Sequence, residues 1–285
     1  MPDAQVVLLV SCPDQKGIIA ATSDFVARHD GNIVELDQHT DVEKNLFFQR
    51  VEWSLPGFGV PRGEIAAAFR PIAERFGAWY DVRFNDVVPR VAIFVSRLDH
   101  CLQDLLWRFK SGELVAEIPM VVSNHFDLRS LAGSFGVNYF VHPITPDSKA
   151  REEDAILQRL RAERIDLIVL ARYMQVLSDR FVSEYPSRII NIHHSFLPAF
   201  AGAKPYHQAF ERGVKVIGAT GHYVTDDLDE GPIIEQDVVR VSHRDSISDL
   251  IRKGRDIEKV VLARAVMRHL AHRVLPYGNK TVVFD

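Results

Sequence analysis

Beyond Pro89 this 285-residue chain repeats one pattern, a short apolar run rich in β-branched residues and then a helical stretch. No other feature restricts its fold as much. The runs occupy 91–96, 119–123, 137–141, 166–171 and 188–192, with helical spacing between most of them, notably over 101–109 and 150–163. A helix between two strands carries the chain back to the starting edge, so consecutive strands run the same way. The alternation therefore predicts a doubly wound, mostly parallel sheet covered by helices. Residues 215–224 and 232–241 read as later strands, and 246–272 as a long final helix.

The first part of the chain has another rhythm. A strand over 5–11 leads to a helix over 16–29, in which Ile18, Ile19, Phe25 and Val26 recur at helical spacing and Asp30-Gly31 gives the stop. Strands over 32–40 and 46–53 flank a turn at 41–45, and a helix over 65–76 and a strand over 78–84 follow. That order is ferredoxin-like, βαββαβ. A linker at 85–90, containing Pro89, separates the two patterns, and the expected domains are 1–86 and 87–285.

Composition narrows the function. The net charge is −4 and the charges are interspersed, with no basic stripe to neutralise a phosphate backbone, so nucleic acid is not an expected partner. The start has an acidic residue at position 3 and only a seven-residue apolar stretch, unlike a signal or transit peptide, and no apolar run reaches the ~20 residues of a membrane helix. Cys12 and Cys101 are the only cysteines. A chain of this size does not depend on a disulfide, and the expected location is cytoplasmic.

Functional groups of an open parallel sheet gather beyond the carboxyl ends of its strands. The segment SRIINIHHSFLPAF puts Asn191 and His193 where a buried strand should run out, and the two-residue period aims both side chains to one side. His194, offset by one, should face away. About thirty residues on, GATGHYVTDDLDEGPIIEQ leads from a strand through His222 to an acidic loop ending at Asp229, then to the turn pair Gly231-Pro232. An amide, an imidazole and a carboxylate suffice to cleave an acyl–nitrogen bond. The first two stabilise the oxyanion, and the carboxylate moves the proton from water to the leaving nitrogen.

Two family resemblances bear on these segments. DQKGIIAATSDFVARHDGNIVELDQ, at 14–38, resembles the ACT domain, a regulatory module that commonly binds an amino acid. An amino-acid effector and a homo-oligomer are expected from it, although Gly17 could equally serve only the strand-to-helix turn. NIHHSFLPAF followed by H-x6-D-x-GPII resembles the folate-dependent formyltransferase family, whose catalytic Asn, His and Asp match Asn191, His193 and Asp229. The resemblance further implies that Met174, Gln175, Val176 and Leu177, with Val224, Thr225, Asp226 and Asp227, contact the folate, and that His222 lines the site. It implies no cofactor and no metal; the folate is substrate.

In SRLDHCLQDLLWRFKSGEL, SNHFDL, AGAKPYHQAF and the leading ACT-like part, the chain is similar within that family to the deformylases, which hydrolyse 10-formyltetrahydrofolate to formate and tetrahydrofolate and so balance the one-carbon pool that feeds purine synthesis. The transferases acting on glycinamide ribonucleotide carry a Gly-rich phosphate loop after the first strand. Residues 96–104 here contain no glycine and two acidic residues, a poor phosphate nest. Gly221 departs from the family pattern, where Ala is expected, and suggests a missing methyl beside the site.

Other readings compete. Asn191, His193 and Asp229 could each be structural, as a turn cap, a core histidine and a turn former. His193, His222 and Asp229 could ligate a metal, although no HExxH or CxxC pattern supports it. Cys101, at a helix start, could carry a lowered thiol pKa. Lys204 could orient the substrate's glutamate tail or simply be solvated. The rival functions are formyl transfer to an amine and a catalytically silent, amino-acid-sensing regulator.

Overall fold

A computed structural model describes residues 4–199 and 205–285, so Lys204 lies outside the described residues. The chain forms two compact units: Met1–Val88 with Ala271–Leu275 and Val282–Asp285, and Pro89–Leu270 with Pro276–Thr281.

In the first unit, β1 (Gln5–Pro13), α1 (Ile18–Arg28), β2 (Ile33–Asp41), β3 (Leu46–Ser54), α2 (Ile65–Phe76) and β4 (Trp79–Phe84) follow the expected βαββαβ order. The sheet order is β2-β3-β1-β4, antiparallel throughout. Val6, Leu8 and Val10 alternate along β1 onto one face and pack with Val51 and Trp53 of β3, Phe25 of α1 and Phe69 of α2. Period-2 and period-3.6 patterns thus meet in one core. Arg50 is buried, but Glu35 at 2.7 Å and Glu52 at 2.5 Å neutralise it, and its Nε donates to the His272 carbonyl. The last residues of the chain belong to this unit, which the strand–helix pattern alone did not predict.

The second unit contains β5 (Arg90–Val95), α3 (His100–Ser111), β6 (Glu117–Ser123), α4 (Arg129–Ser134), β7 (Asn138–Val141), α5 (Lys149–Ala162) and β8 (Leu167–Leu170). It continues with α6 (Asp179–Ser183), β9 (Ile189–His193), α7 (Pro205–Arg212), β10 (Val216–Tyr223), β11 (Ile233–Arg240) and α8 (Ile247–Leu270). A short hairpin, β12 (Val274–Tyr277) and β13 (Lys280–Val283), ends the chain. The sheet order is β11-β10-β9-β8-β5-β6-β7. Strands β9, β8, β5, β6 and β7 are parallel, and β10 and β11 are added antiparallel at the edge beside β9. Strand order reverses between β5 and β8. A crevice opens there at the carboxyl ends, as doubly wound sheets require.

Helix α8 packs on the face of β10 opposite the site, and Gly221 marks the contact. A Cβ built at Gly221 would lie 2.9 Å from the Ala265 Cβ of α8. Gly221 pairs with Ile192 and therefore points away from the face that carries Asn191 and His222. The suggestion of a methyl missing beside the site is thus corrected: this glycine admits a helix. Gly221→Ala should overpack the contact and lower stability by about 1–3 kcal/mol in chemical denaturation. An unchanged midpoint would show that α8 shifts freely.

Candidate functional site

The site is built on the pairing of β9 with β10. In that register Asn191 stands opposite His222 and His193 opposite Thr220, so all four side chains share one face. The two-residue period anticipated the common direction of Asn191 and His193. It did not anticipate His194, which follows the last residue of β9 and escapes the alternation; His194 lines the same cavity.

His222 organises this face. Its Nδ1 lies 2.9 Å from the Tyr223 carbonyl oxygen, which can only accept, so Nδ1 carries the proton. Nε2 is then free to accept from the Asn191 amide at 3.1 Å, which fixes the amide's orientation and leaves its second N–H for another acceptor. Burial lowers the pKa of His222 and keeps this neutral tautomer in place. His194 is also held neutral, pushed down to about 4 by burial and then by the charge of Arg172.

Asp229 arrives from the loop after β10. It adopts a left-handed backbone with φ 58°, uncommon outside glycine, and its Oδ2 lies 3.1 Å from His193 Nδ1. Its Oδ1 is 3.8 Å from His222 Nε2. The loop can return because residue 231 is glycine; a Cβ there would sit 1.8 Å from the Tyr223 carbonyl oxygen. The hydrogen bond from His193 holds the Asp229 carboxyl below its ordinary range, against the cost of burial. His193 Nε2 is buried and has no hydrogen-bond partner among the described residues. A fixed carboxylate, an aimed amide N–H and an unpartnered imidazole nitrogen thus converge on one place.

A cavity of about 440 Å³ surrounds them, within the range of small-molecule sites. Met174, Gln175, Val176 and Leu177 line one part, Val224, Thr225, Asp226 and Asp227 another, and Asn191, His193, His222 and Asp229 complete it. Met174 and Val176 present exposed apolar side chains (60% and 58%), as a surface for a flat ring system would.

The residues that hold these walls were not singled out from the sequence. Ser96 Oγ accepts from the Met174 amide at 3.0 Å while donating to Asn124 Oδ1 at 2.7 Å. Buried Glu153 of α5 accepts from the Ser178 amide at 3.1 Å and from its hydroxyl. Thr220 and Gln236 together hold Ser195 and Leu197 just after β9. No local pattern could reveal them, since each contact spans 16 to 78 residues.

Other candidates fare differently. Cys101 is buried at the start of α3, and burial, then the Glu258 carboxylate, raises its thiol well above the ordinary value, so the expectation of a lowered pKa is overturned. Among the described residues one cluster has metal-ligating character, His100, Cys101 and Glu258. Both Glu258 oxygens are already engaged, by the Tyr206 hydroxyl at 2.5 Å and by His100 Nε2 at 2.8 Å. In the first unit Gly17 is left-handed at φ 95° before α1, and no side chain caps that helix. Among the described residues no helix is long and apolar enough to cross a membrane.

Residues 89–266 match the formyl transferase family and residues 6–74 the ACT domain. Fold and site therefore define an enzyme of the formyl transferase class with an ACT domain ahead of it. A protein from Synechocystis sp. named formyltetrahydrofolate deformylase is 57% identical over the full length of both chains. The crystal structure of a formyltetrahydrofolate deformylase from Pseudomonas syringae pv. tomato is 48% identical with a TM-score of 0.97, over 100% of this chain and 96% of that one. Glycinamide ribonucleotide transformylase 1 from Symbiobacterium toebii is more distant: 31% identity and a TM-score of 0.66, covering 72% of this chain and 98% of its own. The chain belongs to the formyltetrahydrofolate deformylase family.

The His193–Asp229 contact makes a prediction independent of substrate. Because the folded carboxyl is depressed, its stabilising effect is full above the ordinary aspartate value of about 3.9 and is lost as pH falls through the lowered one. His193→Leu should move the Asp229 titration, followed by carboxyl 13C NMR, to higher pH. An unmoved midpoint would show that His193 does not hold this carboxylate.

Proposed function

We propose that this chain hydrolyses 10-formyltetrahydrofolate to formate and tetrahydrofolate, with water as the acceptor. The observation that carries the reading is full-length similarity to proteins named for that reaction, in a chain whose Asn191, His193 and Asp229 converge in one cavity. The folate ring lies between the 174–177 segment and the 224–227 loop. Asp229, kept ionised by its hydrogen bond from His193, accepts a proton from water as the water oxygen attacks the formyl carbon. The free N–H of Asn191 faces the oxygen on which negative charge develops, and His193 serves that oxygen as an imidazolium, with Nδ1–H on Asp229 and Nε2–H toward the oxyanion. Asp229 then returns the proton to the folate nitrogen, and the carbon–nitrogen bond breaks. Tetrahydrofolate and formate re-enter the one-carbon pool on which purine synthesis draws.

Water rather than an amine is favoured by the segment after β5. It turns straight into α3 with Asp99 at its head and no glycine from 96 to 104. No backbone nest for an acceptor's phosphate is offered there.

Incubated with 10-formyltetrahydrofolate and no amine, the protein should release formate and tetrahydrofolate in equal amounts, before and after exhaustive chelation. Tetrahydrofolate release that requires an added amine, with the formyl group recovered on that amine and not as formate, would restore the transferase reading, and loss on chelation with recovery on adding metal would promote metal hydrolysis. Asp229→Asn should lower turnover by roughly 10²–10⁴ with little change in tetrahydrofolate affinity. Near-normal turnover in that variant would remove Asp229 from the proton path.

A further inference from the structure

Arg172 follows β8 by two residues, at the crevice where strand order reverses, and is not used by the mechanism above. It holds a left-handed backbone with φ 64°, a conformation suited to glycine. Its side chain is only 10% exposed and lines the cavity that also holds Asn191, His193, His194 and Asp229. Its charge is shared with Glu258, but its hydrogen-bond donors are not spent elsewhere. Nε is buried without a hydrogen-bond partner among the described residues, and neither terminal nitrogen makes a hydrogen bond there. The nearest carboxylate is Glu258, 3.6 Å away, and its oxygens already accept from Tyr206 and His100.

A buried guanidinium with open donors is a demand for an anion, because leaving such donors unmade is costly while a charge-assisted pair is strong. Its planar fork fits a carboxylate through two parallel hydrogen bonds. The reading above, on which this inference rests, generates such an ion in the same cavity. Hydrolysis joins a water oxygen to the formyl carbon, leaves the folate nitrogen protonated, and yields formic acid, which gives its proton to water and persists as formate. We propose that Arg172 is the formate site: the guanidinium receives the product carboxylate after the carbon–nitrogen bond breaks. The folate's glutamate tail is the other source of carboxylate. It suits Arg172 poorly, since a long, solvated tail belongs at the rim with Met174, Val176 and Leu228, 58–66% exposed, and Arg172 lies far deeper.

The test uses the full chain, with Arg172→Gly, which suits the left-handed backbone, and Arg172→Lys, which keeps the charge but not the fork. Saturable binding of 13C-formate is followed by NMR without folate, and formate inhibition is measured during turnover. We expect formate affinity to fall about tenfold to a hundredfold in Arg172→Gly and less in Arg172→Lys, with tetrahydrofolate affinity changed far less. Formate bound equally by the wild type and both variants would overturn the site, as would a wild type that binds no formate. A loss of tetrahydrofolate affinity matching that of formate, but absent with tetrahydropteroate, would assign Arg172 to the tail and overturn it too. A wild type that binds formate through Arg172 yet releases none from the formyl folate would leave the site standing and sink the hydrolytic reading.

Discussion

The antiparallel pairing of β10 onto β9 is the constraint from which the rest of the second unit follows. One register sets Asn191 against His222 and His193 against Thr220, and a slip of β10 by one residue would turn His222 and Thr220 onto α8. Two contacts secure that register from opposite faces. On one, Thr220 and Gln236 bind the backbone just beyond β9. On the other, Gly221 lets α8 approach to a distance that even a methyl group would obstruct. The same pairing fixes the start of the 224–231 loop, since the Val224 amide donates to Ile189 and the Tyr223 amide to Pro232. Asp229 therefore reaches His193 because the edge of the sheet is antiparallel.

A second layer of electrostatics lies behind the cavity. Glu258 is 1% exposed, and burial alone would favour its neutral form. The hydrogen bond from His100, the charge of Arg172 and the Tyr206 hydroxyl outweigh that cost and keep the carboxyl below its ordinary value. Burial, and then the same ionised group, drive the Cys101 thiol and the Tyr206 hydroxyl toward their neutral forms. One buried carboxylate thus anchors α3, α7, α8 and the segment after β8, while contributing no hydrogen bond to Arg172 itself. Breaking such a network is costly because an uncompensated buried charge remains.

Much of this was legible in the chain. Strand–helix alternation after Pro89 reads out the inner parallel sheet, and βαββαβ spacing reads out the first unit, because both patterns are local. Asn191 and His193 could be placed on one face because a strand has period two. The direction of β10 and β11 was not legible; an apolar run has the same period whichever way it points. Nor could the sequence reveal that His100 meets Glu258 across 158 residues, or that Glu153 holds Ser178. His194 was misjudged because alternation ceases where the strand ends, and Gly221 because a strand position says nothing of how close its covering helix comes. The left-handed turn at Arg172 carries no sequence mark, since arginine ordinarily avoids that region, and the mark at Asp229 is weak, since aspartate is only one of the few residues that enter it more readily.

The protonation states of two of the three cavity histidines, His222 and His194, follow from where each sits. The arrangement requires a neutral His222: a proton on Nε2 would turn an acceptor into a donor facing the Asn191 amide, and the amide would have to flip and lose the N–H that is now free. Burial on the sheet disfavours that protonation. His194 stays neutral because burial and the Arg172 charge act together, so no extra cation accumulates beside His193. The carboxylate of Asp229 can then direct its charge to the His193 Nδ1 proton, while the opposite nitrogen, buried and unpartnered among the described residues, belongs to a side chain that lines the cavity. The chemistry depends less on any one catalytic residue than on two neighbouring imidazoles being kept uncharged around it.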